Sequence, residues 1–287
     1  MTTMHLSKLH ATGNDFLVRL AVDRPDAGDL DKRTVAALCD RHRGIGADGF
    51  ITVTAGRDGA DVTMALMNAD GGSAEMSGNG IRCLARVVAD AGLARADSLV
   101  VDTGGGRREV RLERAGDEVV AAEVDMGPAT FEPSEIPLAA PSSFELEARA
   151  GGVTYRGDAA GMGNPHLVLF VDDPDAVPVA VHGPLLEHDA RFPRRTNVEF
   201  VAAAGPDRLV MRVWERGAGE TQSCGTGACA VAAVAHRRGL VGAHVAVDVL
   251  GGTLTVALGE TVRLGGAVVH VFDVDIDLDR DVAGVSR

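Results

Sequence analysis

The sequence predicts an α/β (α+β) fold that is internally duplicated. Three observations predict it. The same glycine-rich turn occurs twice along the chain, and strand patterns flank both copies in the same order. The second turn also leads into a run of small apolar residues, "ACAVAAVA", that suits a helix buried on every side. Such a helix is most simply buried by a sheet curled around it.

The two turns match residue by residue. The first copy, "MSGNGIRCLARVVADAGL", runs from Met76 to Leu93, and the second, "SCGTGACAVAAVAHRRGL", runs from Ser223 to Leu240. Placing Ser77 on Cys224 also aligns the glycines and the final leucines: Gly78 with Gly225, Gly80 with Gly227, Gly92 with Gly239 and Leu93 with Leu240. One copy therefore carries a hydroxyl where the other carries a thiol.

The flanking segments repeat as well. A strand, a glycine-rich turn and a second strand follow each copy, at residues 98–112 and 244–258. An apolar strand ending in a polar loop precedes each copy, and a Gly-Asn pair leads into a strand at residues 11–18 and 161–170. The first helix is more amphipathic than the second, and we expect its Arg82, Arg86 and Asp90 to stay in water.

A connector rich in proline and serine, residues 126–145, separates the halves. We therefore predict an N-terminal half at 1–126 and a C-terminal half at 127–270. The acidic segment 271–287 alternates in polarity and could add an edge strand to either half, the N-terminal half being the one to which we assign it.

The amino-acid composition argues against several classes of partner and against a metal site. The 287 residues carry a formal charge of −13, which argues against nucleic acid and anionic membranes as partners. The four cysteines, in a chain whose start lacks a secretory pattern, predict reduced thiols in a cytoplasmic protein. With neither a Cys-x-x-Cys pair nor a His-Glu-x-x-His motif, we expect no metal site.

The chain contains two lysines, and we expect neither to lie in a buried pocket where it could bind pyridoxal phosphate. Lys8 lies in an early strand and Lys32 near a polar helix start, so we expect both to be solvated. A pyridoxal enzyme needs a Schiff-base lysine in its site. We therefore predict that the protein uses no cofactor.

The two glycine turns carry the chemistry. Backbone N–H groups at a helix start, with the positive end of the helix dipole, bind carboxylates or phosphates. A cysteine at such a position is expected to have a pKa lowered from about 8.5 toward roughly 3.5–7.5. Cys224 is therefore a candidate thiolate base or nucleophile, whereas Cys39, Cys83 and Cys229 lie in apolar patterns and are expected to be structural.

Duplication suggests how both turns could act on one substrate. Facing each other across an interdomain cleft, they would hold one carboxylate and place the side chains at 77 and 224 on opposite faces of the adjacent carbon. Two thiols so placed would form a two-base racemase, in which one removes the α-proton and the other returns a proton to the opposite face. No cofactor is required for that reaction.

Six blocks together resemble the diaminopimelate epimerase family: "HATGNDF", "NADG", "GNGIRC", "MGNPH", "RRTNVEF" and "ERGAGETQSCGTG". The resemblance implies two similar domains, each a curled, mostly antiparallel sheet around a central helix, with the active site in the cleft between them. It also implies cofactor-free epimerisation of LL- to meso-diaminopimelate, a small-molecule amino-acid substrate, in lysine and peptidoglycan biosynthesis. A homodimer is compatible with it.

The resemblance assigns roles to individual residues. Cys224 matches a catalytic cysteine, and Ser77 takes the position of the other. The residues that match the family's substrate-binding set are Asn14, Asn68, Gly78, Asn79, Asn164, His166, Asn197, Glu215, Arg216, Gly225 and Thr226. Among them, Glu215 and Arg216 would meet the amino and distal carboxylate groups of the substrate.

Ser77 departs from the family pattern, because a serine hydroxyl is too weak an acid to serve unaided as a base at neutral pH. Three explanations fit: an introduced Cys-to-Ser substitution, a natural variant in which Ser77 still relays a proton slowly, or a one-base relative. That relative would be a racemase or dehydratase acting on another amino acid. A non-catalytic binding protein for a diamino diacid is a further alternative. A cysteine codon in the source gene would mark the serine as introduced.

Overall fold

The computed structural model describes residues 3–23, 30–94 and 96–278. The chain divides into two compact units, one made of Met1–Val124 with Gly266–Arg287 and the other of Asp125–Gly265. Across the described ranges, none of the helices has the length and apolar character needed to cross a membrane.

Strands dominate both units. The elements up to the connector are β1 (Thr3–Ala11), β2 (Asn14–Leu20), α1 (Lys32–Cys39), β3 (Gly49–Ala55), β4 (Val62–Asn68), β5 (Ser73–Ala74), α2 (Gly78–Asp90), β6 (Ser98–Thr103), β7 (Gly106–Ala115) and β8 (Glu118–Asp125). The later ones are β9 (Leu146–Ala150), β10 (Val153–Gly161), β11 (Pro165–Phe170), a 3-10 turn (Pro174–Ala176), α3 (Val179–Glu187), β12 (Asn197–Gly205), β13 (Arg208–Glu215), β14 (Gly219–Glu220), α4 (Gly225–Arg237), β15 (His244–Val249), β16 (Gly252–Leu258), β17 (Val262–Ala267) and β18 (Val269–Asp277).

The two sheets repeat one pairing pattern. In the first unit the strands pair in the order β18, β1, β2, β3, β4, β6, β7, β8, and in the second in the order β9, β10, β11, β12, β13, β15, β16. Parallel pairs occur at β2–β3 and β4–β6, and again at β11–β12 and β13–β15. The other pairs in these orders are antiparallel, which confirms the predicted duplicated, mostly antiparallel α/β fold.

The strand that completes each sheet comes from a different part of the chain. β9 follows the connector directly and pairs with β10 in the second unit. In the first unit the equivalent place beside β1 is taken by β18, whose Asp277 pairs with Thr3. The acidic segment thus adds its strand to the N-terminal half, and its residues 279–287 lie outside the described residues.

Each unit wraps its sheet around one helix. α2 packs on β1, β2, β3, β4 and β7, and α4 packs on β10, β11, β12, β13, β15 and β16. Every residue of α4 from Gly227 to Ala235 is buried. A helix of small apolar residues fits this position because the strands can approach its axis closely, as its sequence predicts.

The expectation that the arginines of α2 stay in water is wrong. Arg82 is fully buried, and its guanidinium donates to Gly78 O at 3.0 Å and to Asn79 Oδ1 at 2.7 Å. Arg86 is 8% exposed and pairs with Asp90 at 2.6 Å. Because the sheet surrounds the helix, these guanidinium groups bond to the first turn of α2, to its last turn and to β8 in place of water.

The two lysines differ in their exposure to solvent. Lys32 is exposed at the start of α1, as predicted. Lys8 is not solvated: its side chain is 13% exposed, and Nζ lies 2.9 Å from Asp15 Oδ2 and donates to Gly46 O. The strand pattern of β1 hides this, because the partner carboxylate lies in the neighbouring strand β2.

Outer helices cover the other face of each sheet. In the first unit α1 places Val35 and Leu38 in a core with Leu6, Leu17 and Phe50. In the second unit α3 joins a core that also includes Ile136 and Leu138 from the connector. The connector is therefore packed against the second unit, although it forms no helix or strand among its described residues.

Candidate functional site

Ser77 and Cys224 occupy the same structural position in their units. Each is the residue before a 13-residue helix, with extended backbone (φ −139° and −118°). Ser77 Oγ accepts a hydrogen bond from Gly80 N at 3.0 Å, and Cys224 Sγ accepts one from Gly227 N at 3.4 Å. The aligned turns of the sequence are therefore matched helix caps in which a thiol replaces a hydroxyl.

In the first unit, the structure brings two predicted asparagines together beside this cap. Asn79 Nδ2 donates to Asn14 Oδ1 at 3.2 Å, and Asn79 Oδ1 accepts from the buried Arg82. Gly78 and Asn79 are buried in the first turn of α2. Asn68 ends β4, is exposed, and has its backbone N–H bonded to Gly72 O at 2.8 Å.

A charged network that sequence reasoning missed holds Asn14. Asn14 Nδ2 donates to Asp48 Oδ2 at 2.8 Å, and Arg41 Nη2 lies 2.6 Å from both Asp48 Oδ1 and Asp15 Oδ1. Burial by itself raises the pKa of Asp15, but hydrogen bonds from Arg41 and Lys8 outweigh it and lower the pKa to about 2. The acidic residue directly after Asn14 was the available signal.

In the second unit, four predicted residues form one hydrogen-bonded chain. His166 Nε2 lies 2.9 Å from Asn164 Oδ1, and Asn164 Nδ2 donates to Thr226 Oγ1 at 3.5 Å. Thr226 Oγ1 lies 3.5 Å from Cys224 Sγ. The chain therefore leads from the fully buried imidazole of His166 to the thiol.

Asn197 positions the segment that follows β13. Its Nδ2 donates to Pro165 O at 3.1 Å, and its Oδ1 accepts from Arg216 N at 2.9 Å. The Arg216 side chain is exposed and donates to Arg194 O at 3.0 Å. Asn197 thus fixes the backbone from which the Arg216 side chain extends.

Glu215 lies next to the thiol. Thr221 Oγ1 donates to Glu215 Oε1 at 2.5 Å. Burial raises the pKa of Glu215, against the lowering effect of its hydrogen bonds from Thr221 and Cys224. A carboxylate that is largely removed from water is stabilised by a cationic partner.

The expectation that the pKa of Cys224 is lowered is wrong. Burial raises the pKa of the Cys224 thiol well above its ordinary value, and the Glu215 and Glu199 carboxylates raise it further. The hydrogen bonds from Thr226 and Gly227 lower it, but they do not compensate. This environment favours the protonated thiol, because two acidic side chains and burial outweigh the helix start.

The other cysteines are buried and structural, as predicted. Cys39, Cys83 and Cys229 are thiols outside any disulfide and lie within the helices α1, α2 and α4. Burial raises the pKa of both Cys39 and Cys83 to about 12. Cys224 alone among the four occupies a helix cap rather than a helix interior.

Sequence reasoning also missed Glu199. This fully buried residue of β12 places Oε1 2.7 Å from His166 Nδ1. The signal was a glutamate inside the apolar strand "NVEFV", where charged residues are rare unless paired.

Gly227→Ala is expected to lower the free energy of unfolding by about 1–3 kcal/mol, because its Cβ would lie 2.8 Å from Glu199 Oε1 and 3.3 Å from Cys224 Sγ. Gly80→Ala is the matched control: both variants gain about 1 kcal/mol of helix propensity, but the Cβ at position 80 would meet the terminal methyl carbon of Ile51, at 3.0 Å, rather than a buried carboxylate oxygen. Urea unfolding of both variants measures the difference. Equal losses would show that Glu199 does not hold its observed place beside Gly227.

Comparison with known proteins places these features in a family. The sequence profile described as Diaminopimelate epimerase matches residues 6–132 and 159–269. The diaminopimelate epimerase of Moorella thermoacetica is 43% identical over 281 residues, covering 96% of this chain and 100% of that relative. That of Pelotomaculum thermopropionicum is 43% identical over 274 residues, covering 94% and 97%.

Solved structures share the fold at low identity. A hydroxyproline epimerase from Agrobacterium vitis, with bound trans-4-hydroxy-L-proline, superimposes with a TM-score of 0.72 at 17% identity and covers 98% of this chain and 94% of that one. A Bacillus anthracis phenazine biosynthesis protein of the PhzF family gives a TM-score of 0.70 at 14% identity, covering 96% and 100%. The profile match and the two relatives at 43% identity show that the chain belongs to the diaminopimelate epimerase family of isomerases.

Proposed function

We propose that the protein epimerises LL-diaminopimelate to meso-diaminopimelate by proton transfer at the α-carbon, with positions 77 and 224 serving its two faces and no cofactor taking part. The matched helix caps carry this proposal. Two units with one strand pattern present the same Gly-x-Gly helix start, and the capping residue of each occupies the position where a two-base reaction needs its acid or base.

The helix starts supply the anion site. The N–H groups of Gly78 and Asn79 in α2, and of Gly225 and Thr226 in α4, belong to first turns, whose N–H groups have no partner within the helix. They suit a carboxylate, whose negative charge the helix dipoles also favour. The same donors stabilise the charge that moves toward the carboxylate when the α-proton leaves.

The proton transfers follow from the two caps. In a complete pair, a thiolate at one position takes the α-proton, the electron pair of the broken C–H bond remains on carbon, and the thiol at the other position delivers its proton to the opposite face. The raised pKa of Cys224 suits it to be the acid, which leaves position 77 as the base. Ser77 Oγ accepts from Gly80 N, and among the described residues it has no hydrogen bond to a titratable side chain that could activate it. We therefore propose that inversion is slow in this chain.

Glu215 and Arg216 would select the substrate. The partly buried Glu215 carboxylate beside Cys224 suits the α-ammonium group, and the exposed Arg216 guanidinium suits a carboxylate at the far end. A diamino diacid carries both an α-ammonium group and a distal carboxylate.

The proposal is tested by incubating the Ser77→Cys protein with LL-diaminopimelate, without added cofactor, and separating the stereoisomers. Formation of the meso isomer supports it, and unchanged LL-diaminopimelate would refute it.

Ser77 also leaves room for a second function. A single thiol can exchange or remove an α-proton on one face only, which is what a dehydratase acting on another amino acid would require. That candidate predicts deuterium exchange into another amino acid without inversion of diaminopimelate, even after Ser77→Cys.

Arg216→Lys is expected to weaken binding of diaminopimelate by at least tenfold, since lysine cannot reproduce the planar bidentate geometry of arginine toward a carboxylate. Titration calorimetry on both proteins measures the change, with L-lysine as the control ligand because it lacks the distal carboxylate. L-lysine is expected to bind weakly and equally to both. If it bound the parent as tightly as diaminopimelate, Arg216 would not be the specificity residue.

A further inference from the structure

A buried carboxylate that the proposed reaction does not use lies beneath the first turn of α4. Glu199 and His166 are both inaccessible to solvent, with Oε1 of Glu199 2.7 Å from Nδ1 of His166. Glu199 Oε2 has no hydrogen-bond partner among the described residues. Polar atoms in a protein interior are costly unless they are bonded, so this carboxylate needs a physical explanation.

The carboxylate and the Cys224 thiol flank the same point. A Cβ on Gly227 would lie 2.8 Å from Glu199 Oε1 and 3.3 Å from Cys224 Sγ. Only a glycine leaves this space open. Glu199 therefore lies directly behind the helix start that carries the thiol.

Asn164 and Glu199 each bond one ring nitrogen of His166. Asn164 Oδ1 only accepts, so His166 Nε2, 2.9 Å away, donates. At Nδ1 the ring either donates to an ionised Glu199 or accepts from a protonated one. In both cases Nε2 keeps its proton, and the donor chain continues through Asn164 and Thr226 to Cys224.

The first unit shows that the fold does not require this pair. In its parallel strand pair Phe16 faces Gly49 and Val18 faces Ile51, as His166 faces Asn197 and Val168 faces Glu199 in the second unit. Phe16 and Ile51 thus take the places of His166 and Glu199. Both also lie beside Gly80, the counterpart of Gly227, at 3.4 Å and 3.0 Å from its Cβ position. Apolar side chains fill these places without polar atoms.

We propose that Glu199 is a positioning residue for the epimerase reaction: its bond to Nδ1 holds the His166 ring in place and so orients the hydrogen-bonded chain that ends at the Cys224 thiol. The inference rests on the proposed function. Replacing a buried charged pair by apolar residues is often neutral or stabilising, so Glu199 and His166 are explained by chemistry rather than by stability. The Glu199 carboxylate also raises the pKa of Cys224, which keeps the proton on the acid.

The first test is the pH dependence of Cys224 alkylation by iodoacetamide, followed by mass spectrometry of the labelled peptide. Besides Glu199, the groups that act on this thiol are Glu215 from β13 and Thr226 and the Gly227 N–H from α4, and His166 from β11 acts through the hydrogen-bonded chain. Glu199→Gln is expected to lower the midpoint by about one pH unit or more. Glu199→Asp keeps the negative charge, so its alkylation midpoint is expected to lie close to that of the parent protein.

Asp158→Asn is the matched control. Asp158 is a fully buried carboxylate of the same unit, but it pairs with Arg238 and does not belong to the chain that ends at Cys224. Its substitution is expected to lower stability and leave the alkylation midpoint unchanged. A midpoint that is the same in Glu199→Gln as in the parent would overturn the proposal.

The second test separates chemistry from folding. In a Ser77→Cys background, Glu199→Gln is expected to lower kcat at least tenfold with little change in KM. The double substitution Glu199→Ile with His166→Phe, copied from the first unit, is expected to keep the thermal midpoint while losing activity. An unfolded double variant would make the pair structural and overturn the proposal. If no Ser77→Cys protein inverted diaminopimelate, the proposed function would fail, while the alkylation result would still decide the role of Glu199 toward the thiol.

Discussion

Ser77→Cys is expected to raise the rate of inversion of LL-diaminopimelate by at least about 10²–10⁴-fold, the usual contribution of one positioned acid–base group. The substitution changes one atom at a helix cap whose backbone already matches that of Cys224. The gain arises because a thiol ionises far more readily than a hydroxyl. Initial rates by chiral separation, in both directions, measure it.

The control for this gain is Ser77→Ala. It removes the hydroxyl without adding a thiol, and it also removes the hydrogen bond that Gly80 N donates to the cap. We expect it to lower stability by about 1 kcal/mol and not to raise the rate. If the parent inverted its substrate as fast as Ser77→Cys, the role assigned to position 77 would be wrong.

Cys224→Ser is expected to abolish the remaining activity of the parent, reducing α-proton exchange with solvent to the uncatalysed rate. With hydroxyls at both caps, neither face of the α-carbon would have a thiol, and a hydroxyl exchanges its proton with the α-carbon far less readily than a thiol does. Proton NMR in deuterated water, following the loss of the α-proton signal, measures this exchange.

Cys229→Ser is the matched control for Cys224→Ser. Cys229 lies one turn further along α4 and is fully buried, so its loss removes a thiol from the same helix but not from the cap. Exchange should persist in that variant. Persistent exchange in Cys224→Ser would instead show that the group responsible for exchange lies elsewhere in the protein.

Much of the fold could be predicted because duplication leaves a visible trace. The glycines that open α2 and α4 recur at matched positions, where a Cβ on Gly80 would lie 3.0 Å from Ile51 and one on Gly227 would lie 2.8 Å from Glu199. The uninterrupted apolar face of α4 likewise reports directly that the sheet surrounds it. Both are properties of local sequence.

The errors concern charges whose partners are distant in sequence. Arg86 and Lys8 look like surface residues, yet each is satisfied by a neighbouring strand that the local pattern does not reveal. The pKa of Cys224 was misjudged for the same reason. The helix start is visible in the sequence, whereas the burial and the carboxylates of Glu215 and Glu199 that raise this pKa depend on the folded sheet.

The measurement that tests the central claim most directly is the isotope content of both stereoisomers early in the reaction of LL-diaminopimelate with the Ser77→Cys protein in deuterated water. If positions 77 and 224 serve opposite faces, the base removes a proton from one face and the acid delivers a deuteron from the other. The meso product should then carry deuterium at the inverted carbon, while the remaining LL-diaminopimelate keeps its α-protons. Product that retains the original proton, or substrate that exchanges as fast as product forms, would show that a single group serves both faces.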